Sequence, residues 1–504
     1  MTIIRQSDLI DSIRSALQFI SYYHPQDFIQ AMHTAWKTEQ SRAAKDAIAQ
    51  ILVNSRMCAE GHRPLCQDTG IVIVYLDIGM EIHWQGDMSV EDMVNEGVRQ
   101  AYADENNPLR ASIVDDPAGK RTNTGDNTPA VIQMKVVPGN TLSITVAAKG
   151  GGSENKAKFT VLNPSDCVSD WVIDQVTQMG AGWCPPGVLG IGIGGTAEKA
   201  MQLAKESLME PINIQALLER KPVTFVEELR LDLYHKLNAL GIGAQGLGGL
   251  VTVLDIKIKD YPTHAASKPV AIIPNCAATR HVHIELDGSG PAYPEPPALD
   301  DWPDISWDPS SSRRVNLDEI NRETIATWQS GETLLLSGKI LTGRDAAHKR
   351  IVETLDRGDA LPAGLNFHNR FIYYVGPVDP VNGEAVGPAG PTTATRMDKY
   401  TDALLEQTGL IGMIGKAERG AATIESIRQH KAVYLIATGG AAYLVSKAIT
   451  KSQVVAYPEL GMEAIYEFEI KDMPVTVAVD SMGDSVHTSG PEKWRRQIAG
   501  IHII

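Results

Sequence analysis

The stretch Asp287–Arg314 limits what this chain can fold into more than any other segment. It reads DGSGPAYPEPPALDDWPDISWDPSSSRR, rich in Pro, Ser and Asp and without apolar periodicity. Proline removes a backbone donor and breaks both helix interiors and central strands. No regular element can therefore run through this stretch, and apolar patterning restarts beyond it with a new rhythm. It is expected as a linker. The chain has 504 residues, too many for one ordinary core. The expectation is a two-domain α/β protein: residues 1–287, a linker at 288–314, and residues 315–504.

The remaining patterning supports the α/β class. Residues 7–60 alternate at helical spacing, beginning with an amphipathic helix near Ser7 rather than a signal peptide. Residues 71–83 are β-rich, reach a turn at Gln85-Gly86-Asp87 and lead to a helix over 89–105. Residues 131–149 read as a hairpin with its turn at Pro138-Gly139-Asn140. Helices are expected at 166–180 and 196–210, and strands at 250–259 and 269–273. After the linker, short strands mix with helices at 344–356, 394–408 and 440–449.

Charge narrows the function. The net charge is -15, with no basic tail or stripe to offset it. Binding to phosphate backbones needs clustered Lys and Arg, so a nucleic-acid partner is not expected. An acidic chain that handles an anionic substrate must gather its few cations in one pocket. The most apolar stretch, KAVYLIATGGAAYLVSKAIT, is too short and too Gly-interrupted to span a bilayer. A soluble, cytoplasmic protein without a membrane partner is expected.

Residues 190–195, GIGIGG, match G-x-G-x-x-G ahead of a helix-like run. The preceding GWCPPGVL breaks rather than builds a strand, so dinucleotide binding is not expected. A Gly-rich turn at a helix N-terminus could instead hold a carboxylate.

The five cysteines are Cys58, Cys66, Cys167, Cys184 and Cys276. An odd, sparse set argues against a disulfide framework. Cys58 and Cys167 lie at helix ends and read as structural. Cys66, Cys184 and Cys276 lie in turn chemistry, each with Pro within two positions. Thiolates in irregular backbone can share a metal centre with free N–H groups around it. They are far apart in sequence and no C-x-x-C occurs, so spacing alone favours neither a cluster nor zinc. Number is more telling. Three ligands on a [4Fe–4S] cluster leave one iron open as a Lewis acid, which suits hydration or dehydration. A fourth thiolate, from Cys58 or Cys167, would instead suit an electron carrier or redox sensor. A metal-free binding module remains a further alternative.

The strings NSRMCAEGHRPLCQDTG, NPLRASIVDDPAGKRTNTGDNTPA, AAKGGGSENKAKF, HAASKPVAIIPNCAATRH, SGKILTGRDAAHKR, GPAGPTTATRMDKY and IGKAERG span nearly the whole chain. In content and order they resemble the class I fumarate hydratases, the oxygen-sensitive iron–sulfur fumarases. The resemblance implies an N-terminal α/β domain carrying a [4Fe-4S] cluster on Cys66, Cys184 and Cys276. It implies a C-terminal swivelling-type α/β (β/β/α) domain that closes over a small dicarboxylate, and a homodimer. The implied reaction interconverts fumarate and (S)-malate, as in the tricarboxylic acid cycle. L-Tartrate dehydratase and mesaconate hydratase belong to the same superfamily and are the competing readings.

Site roles follow from the matched motifs. Arg110, Arg344 and Arg396 would grip carboxylates through their planar forks, with Lys416 a further cation. Gln67 and Asp68 follow Cys66 directly. Asp68 beside an anionic cluster and substrate is expected to have a raised pKa and to carry a proton, with His264 as its relay. Thr392 would handle the proton at C3, aided by Arg396 and Lys416, with Thr393 beside it. Gly151 and Gly152 would let backbone N–H groups approach a substrate carboxylate.

Overall fold

The structure is a computed structural model that describes residues 2–305, 307–381 and 383–499. It is mixed α/β. Two four-stranded sheets occupy the first part of the chain and a seven-stranded sheet the last part. Among the described residues no helix is long and apolar enough to cross a membrane.

The first sheet corrects the expected hairpin at 131–149. Its order is His281–Leu286, Leu142–Lys149, Ile71–Gly79, Val131–Val137. Strand Ile71–Gly79 therefore lies between the two segments expected to pair, parallel to one and antiparallel to the other. The reason is burial. Val72, Val74 and Leu76 of the central strand are solvent-free, whereas Val131, Met134 and Val136 are exposed, as an edge position allows. The parallel pair needs a crossover, and helix Val90–Tyr102 supplies it. Ser89 caps that helix by accepting from Asp92 N–H at 3.0 Å.

The second sheet corrects the reading of the Gly-rich run. Gly187–Gly194 is a buried strand, set between Val253–Tyr261 and Lys268–Asn275, with Lys158–Leu162 at the edge. Its glycines serve helix packing. A Cβ at Gly192 would lie 1.9 Å from the Ala200 carbonyl oxygen, and one at Gly190 would lie 2.1 Å from that of Ala204. Helix Ala197–Ser207 thus rests directly on the strand backbone. The run is a packing surface, not a carboxylate-binding turn.

The third sheet runs Arg313–Asn316, Thr333–Thr342, Phe371–Tyr373, Gly412–Gly415, Val433–Ile436, Ile465–Val479, Ile449–Ala456. The segments Thr333–Thr342 to Val433–Ile436 are parallel neighbours in turn. They read as short apolar runs because both faces are buried.

The Pro-rich stretch is anchored at two tryptophans. Trp302 is only 3% exposed and donates from Nε1 to Ser55 Oγ at 2.9 Å. Trp307 donates from Nε1 to Asp46 at 2.8 Å. Both partners lie on helix Arg42–Gly61. One apolar cluster continues from Phe28, Ile48 and Leu52 through Trp302 to Ile351, Phe367 and Met413. Across the same seam the Arg63 fork meets Glu384 at 3.1 and 3.0 Å.

Candidate active site

The cleft is built largely from segments just past strand ends, where open α/β sheets bind ligands. Gly150 follows Leu142–Lys149, and Cys276 follows Lys268–Asn275. Arg344 follows Thr333–Thr342, and Lys416 follows Gly412–Gly415. A cavity of about 630 Å³ lies between these ends. Gln67, Asp68, Arg110, Gly151, Gly152, Arg344, Thr392, Thr393, Arg396 and Lys416 all line it. The structure thus brings together ten of the side chains and glycines singled out in the sequence.

Local contacts fix most of them. Gln67 Nε2 donates to Pro391 O at 3.2 Å, and Cys66 Sγ donates to Gln67 Oε1 at 3.3 Å. Arg110 Nη1 donates to Gly376 O at 2.6 Å. Arg344 faces Glu463 at 3.5 Å, and Arg396 pairs with Asp345 at 2.8 Å. Thr392 N–H donates to Tyr374 O at 2.7 Å, and Thr392 O accepts from Lys416 N–H at 3.1 Å. Thr392 and Lys416 are therefore held on one backbone bridge. The N–H of Gly151 donates to Asp68 Oδ2 at 2.8 Å.

The cations around Asp68 act on its charge. Burial pushes its carboxyl up, but Arg110, Arg280, Lys416 and the Gly151 N–H together hold it below the ordinary carboxylate range. Among the chain's own groups it is held as a carboxylate that accepts from Gly151. Burial pulls the Arg344 guanidinium down, with Arg110 as a repelling neighbour.

His264 is not in the cleft. It lies exposed between strands Val253–Tyr261 and Lys268–Asn275, where its Nδ1 accepts from Ala266 N–H at 3.2 Å. The expected pairing with Asp68 is not made within one chain.

The three turn cysteines come together around Lys416, which lines the cavity. Lys416 is the shared neighbour of Cys184, Cys66 and Cys276. Burial pulls its ammonium down, but the three sulfurs outweigh that and raise it. Burial pushes the Cys66 and Cys184 thiols up, and Lys416 opposes this most in both. A Cβ at Gly439 would lie 2.9 Å from Cys184 Sγ and 3.0 Å from Gln245 Oε1, so only glycine fits beside that sulfur. Cys58 is buried and donates to Pro64 O at 3.7 Å, and Cys167 is exposed. Among the described residues no three His, Cys, Asp or Glu side chains are spaced to hold a single ion. Three thiols gathered around one ammonium are nonetheless of the ligand type that holds iron–sulfur groups.

Sequence reasoning missed several lining residues. Arg121 and Lys156 add positive charge, and Glu463 adds a carboxylate beside Arg344. It also missed Arg280, which shapes the charge on Asp68. Arg280 lies within NCAATRH, four residues past Cys276, so the motif carried a signal for it.

Fold and cleft define an α/β enzyme whose chamber gathers cations, one of them beside three thiols, fit for a small anion with more than one carboxylate. Comparison with known families gives the particular kind. The family described as fumarate hydratase matches residues 10–285, and the fumarase C-terminus family matches residues 288–490. The chain is 32% identical to the aerobic class I fumarate hydratase of Salmonella typhimurium, over 88% of this chain and 78% of that one. It is 30% identical to fumarate hydratase 2 of Leishmania major, over 94% and 85%. A putative L(+)-tartrate dehydratase subunit alpha of Methanocaldococcus jannaschii is 38% identical, over 53% of this chain and 93% of that protein. The chain belongs to the class I fumarate hydratase family.

Proposed function

We propose that this chain is a cytoplasmic hydro-lyase that interconverts fumarate and (S)-malate, with a [4Fe-4S] cluster held by Cys66, Cys184 and Cys276. One observation carries the reading: Arg110, Arg344, Arg396 and Lys416 line one cavity, and Lys416 also neighbours all three sulfurs. When bound, such a cluster supplies an open iron that acts as a Lewis acid toward a hydroxyl and a carboxylate.

The chain's own groups divide the remaining work. Arg344 and Arg396 bind one carboxylate through their forks, and Arg110 with the Gly152 backbone N–H binds the other, beside the Gly151 turn that holds Asp68. Gln67 sits beside Cys66 and orients the bound dianion. Asp68, ionised and fixed by Gly151, takes a proton from water as its oxygen adds to C2. The Thr392 hydroxyl gives its proton to C3 on the opposite side. Lys416, bridged to Thr392, favours the alkoxide that results, and Thr393 keeps that bridge in register. In the reverse direction Thr392 removes the C3 proton and Asp68 returns its own.

The proposal includes a two-domain chain, with 1–287 holding the cluster, 288–314 as connector and 315–504 as a swivelling domain that closes the chamber. The lining supports this, since residues from Gln67 to Gly182 supply one wall and residues from Arg344 to Glu463 the other. It also includes a homodimer. A relay from His264 to Asp68 is part of the mechanism only if a second copy brings its exposed loop to the cleft.

Purification without oxygen tests the reading. Iron, sulfide and fumarate-dependent ultraviolet absorbance would be followed together. Turnover of malate that disappears in Cys66→Ser is expected. A cluster-loaded chain inert toward every dicarboxylate, or a fully active Cys66→Ser, would overturn it. The tartrate dehydratase relative supports L-tartrate as a second substrate reading. Fumarate, mesaconate and tartrate differ by one small group, worth about 1–3 kcal/mol in a pocket. Comparing kcat/KM for malate, mesaconate and tartrate decides among them.

A further inference from the structure

Arg280 is a buried cation that the scheme above leaves without a task. It is 3% exposed. It follows strand Lys268–Asn275 and Cys276, and its carbonyl accepts from Ala148 N–H at 3.1 Å. Its side chain lies behind the cavity rather than on the lining. A Cβ placed on Gly150 would lie 3.3 Å from Asp68 Oδ2 and 3.5 Å from Arg280 Nη2. Carboxylate and guanidinium thus converge on one peptide. The same guanidinium is also an electrostatic neighbour of Cys66.

Two other buried cations show what a structural role looks like here. Lys149 Nζ donates to Ser153 Oγ and to Pro274 O, each at 2.6 Å. Arg63 fills its fork with Glu384, Asn107 and Asp379 O. Arg280 has no comparable brace. Its Nε is buried without a partner, and among the described residues it joins no ion pair. Burying a guanidinium with unfilled donors costs free energy, and an apolar side chain of similar volume would avoid that cost. A fold that keeps such a residue keeps it for something an apolar side chain cannot supply, which is fixed charge.

We propose that Arg280 is a positioning residue of the active site: from behind the cavity its fixed positive charge holds the Asp68 carboxylate against the Gly151 turn and balances the negative charge at Cys66. The inference rests on the proposed function only in giving Asp68 and Cys66 their tasks. It differs from a structural role in what a substitution does. Removing a brace lowers stability, whereas removing an unfilled buried charge does not.

The test uses the full chain, purified without oxygen, as wild type, Arg280→Met and Arg280→Lys. For Arg280→Met the expected thermal midpoint is equal to or above that of wild type, measured on cluster-free and cluster-loaded protein. Its kcat for malate dehydration falls about tenfold or more while KM changes less than about threefold. The reduction potential of its loaded cluster becomes more negative, because a positive charge that favours the added electron is gone. Arg280→Lys keeps the charge and recovers the potential and most of kcat. A lowered midpoint with unchanged kcat and potential would make Arg280 a brace and overturn the proposal. A raised KM with intact kcat would place it in substrate binding and overturn it as well. If Arg280→Met does not fold, Arg280→Lys decides: wild-type midpoint, potential and kcat support the proposal, and a lowered midpoint makes Arg280 a brace and overturns it. Wild-type protein without turnover would sink the hydro-lyase reading alone, and the midpoints and potentials would still decide the role of Arg280.

Discussion

The backbone N–H of Gly151 donates to Asp68 Oδ2 at 2.8 Å. This bond joins the segment after Cys66 to the turn after strand Leu142–Lys149, and it aims an ionised carboxylate into the cavity. Asp68→Asn keeps the shape but loses the acceptor charge. The expected result is a folded protein with kcat lowered about 10²–10⁴-fold and KM changed far less. Steady-state kinetics with malate checks it.

Arg344 and Arg396 each share their fork with an acid, Glu463 and Asp345. Lysine keeps the charge but not the planar geometry that a carboxylate needs. Arg344→Lys and Arg396→Lys are each expected to raise KM roughly ten- to hundredfold, the equivalent of about 1.5–3 kcal/mol for a charged hydrogen bond. An unchanged KM in both would remove these two residues from the substrate grip.

Arg63 and Glu384 form a bidentate pair whose side chains are 2% and 9% exposed. Arg63→Met leaves Glu384 buried alone and is expected to cost about 3–5 kcal/mol of stability. Arg63→Met combined with Glu384→Leu should cost less than Arg63→Met by itself. Denaturant titration of the two variants measures the difference.

His24 links the connecting stretch to the Cys276 turn. Trp302 donates to Ser55 Oγ at 2.9 Å, Ser55 meets His24 Nδ1 at 2.8 Å, and His24 Nε2 donates to Ala277 O at 3.1 Å. Burial pulls the ring down from 6.5 to about 3, against the raising effect of the Ala277 bond. Between these values the unfolded chain binds a proton that the folded chain does not. Stability from this group is therefore present above about 6.5 and is lost as pH falls toward 3. The full loss approaches about 4–5 kcal/mol. His24→Gln should flatten the fall between neutral and mildly acid pH, as read by denaturation midpoints.

Gly192 faces the Ala200 carbonyl at a distance no side chain tolerates. Gly192→Ala should cost about 3 kcal/mol or more, through displacement of helix Ala197–Ser207. Thermal unfolding reads this directly. Wild-type stability in the variant would show that the helix can lift without loss.

Much of the site was legible in the sequence because its chemistry is local. Cys66, Cys184 and Cys276 announced themselves by their turn residues, and the cations by the motifs around them. Helices at Val90–Tyr102 and Ala197–Ser207 were legible from the sequence pattern. Strand pairing was not. The turn at Pro138-Gly139-Asn140 looks like a hairpin, yet the better-buried Ile71–Gly79 takes the place between its arms. The run GIGIGG looks like a loop because glycine is rare in strands, but here small residues let a helix approach. The Pro-rich stretch reads as a linker, and its patterning does not show that two tryptophans anchor it to helix Arg42–Gly61.

The sequence by itself determined the α/β class, the three thiols and most of the cations that surround them, since residue type and local spacing encode these. Tertiary structure decided which of them meet. It put Lys416 among the sulfurs and lowered Asp68 by gathering positive charge around it. It left His264 exposed and set Arg280 behind the cleft with its Nε unpartnered. Electrostatics and pairing depend on groups far apart in the chain, and only the folded backbone fixes those distances.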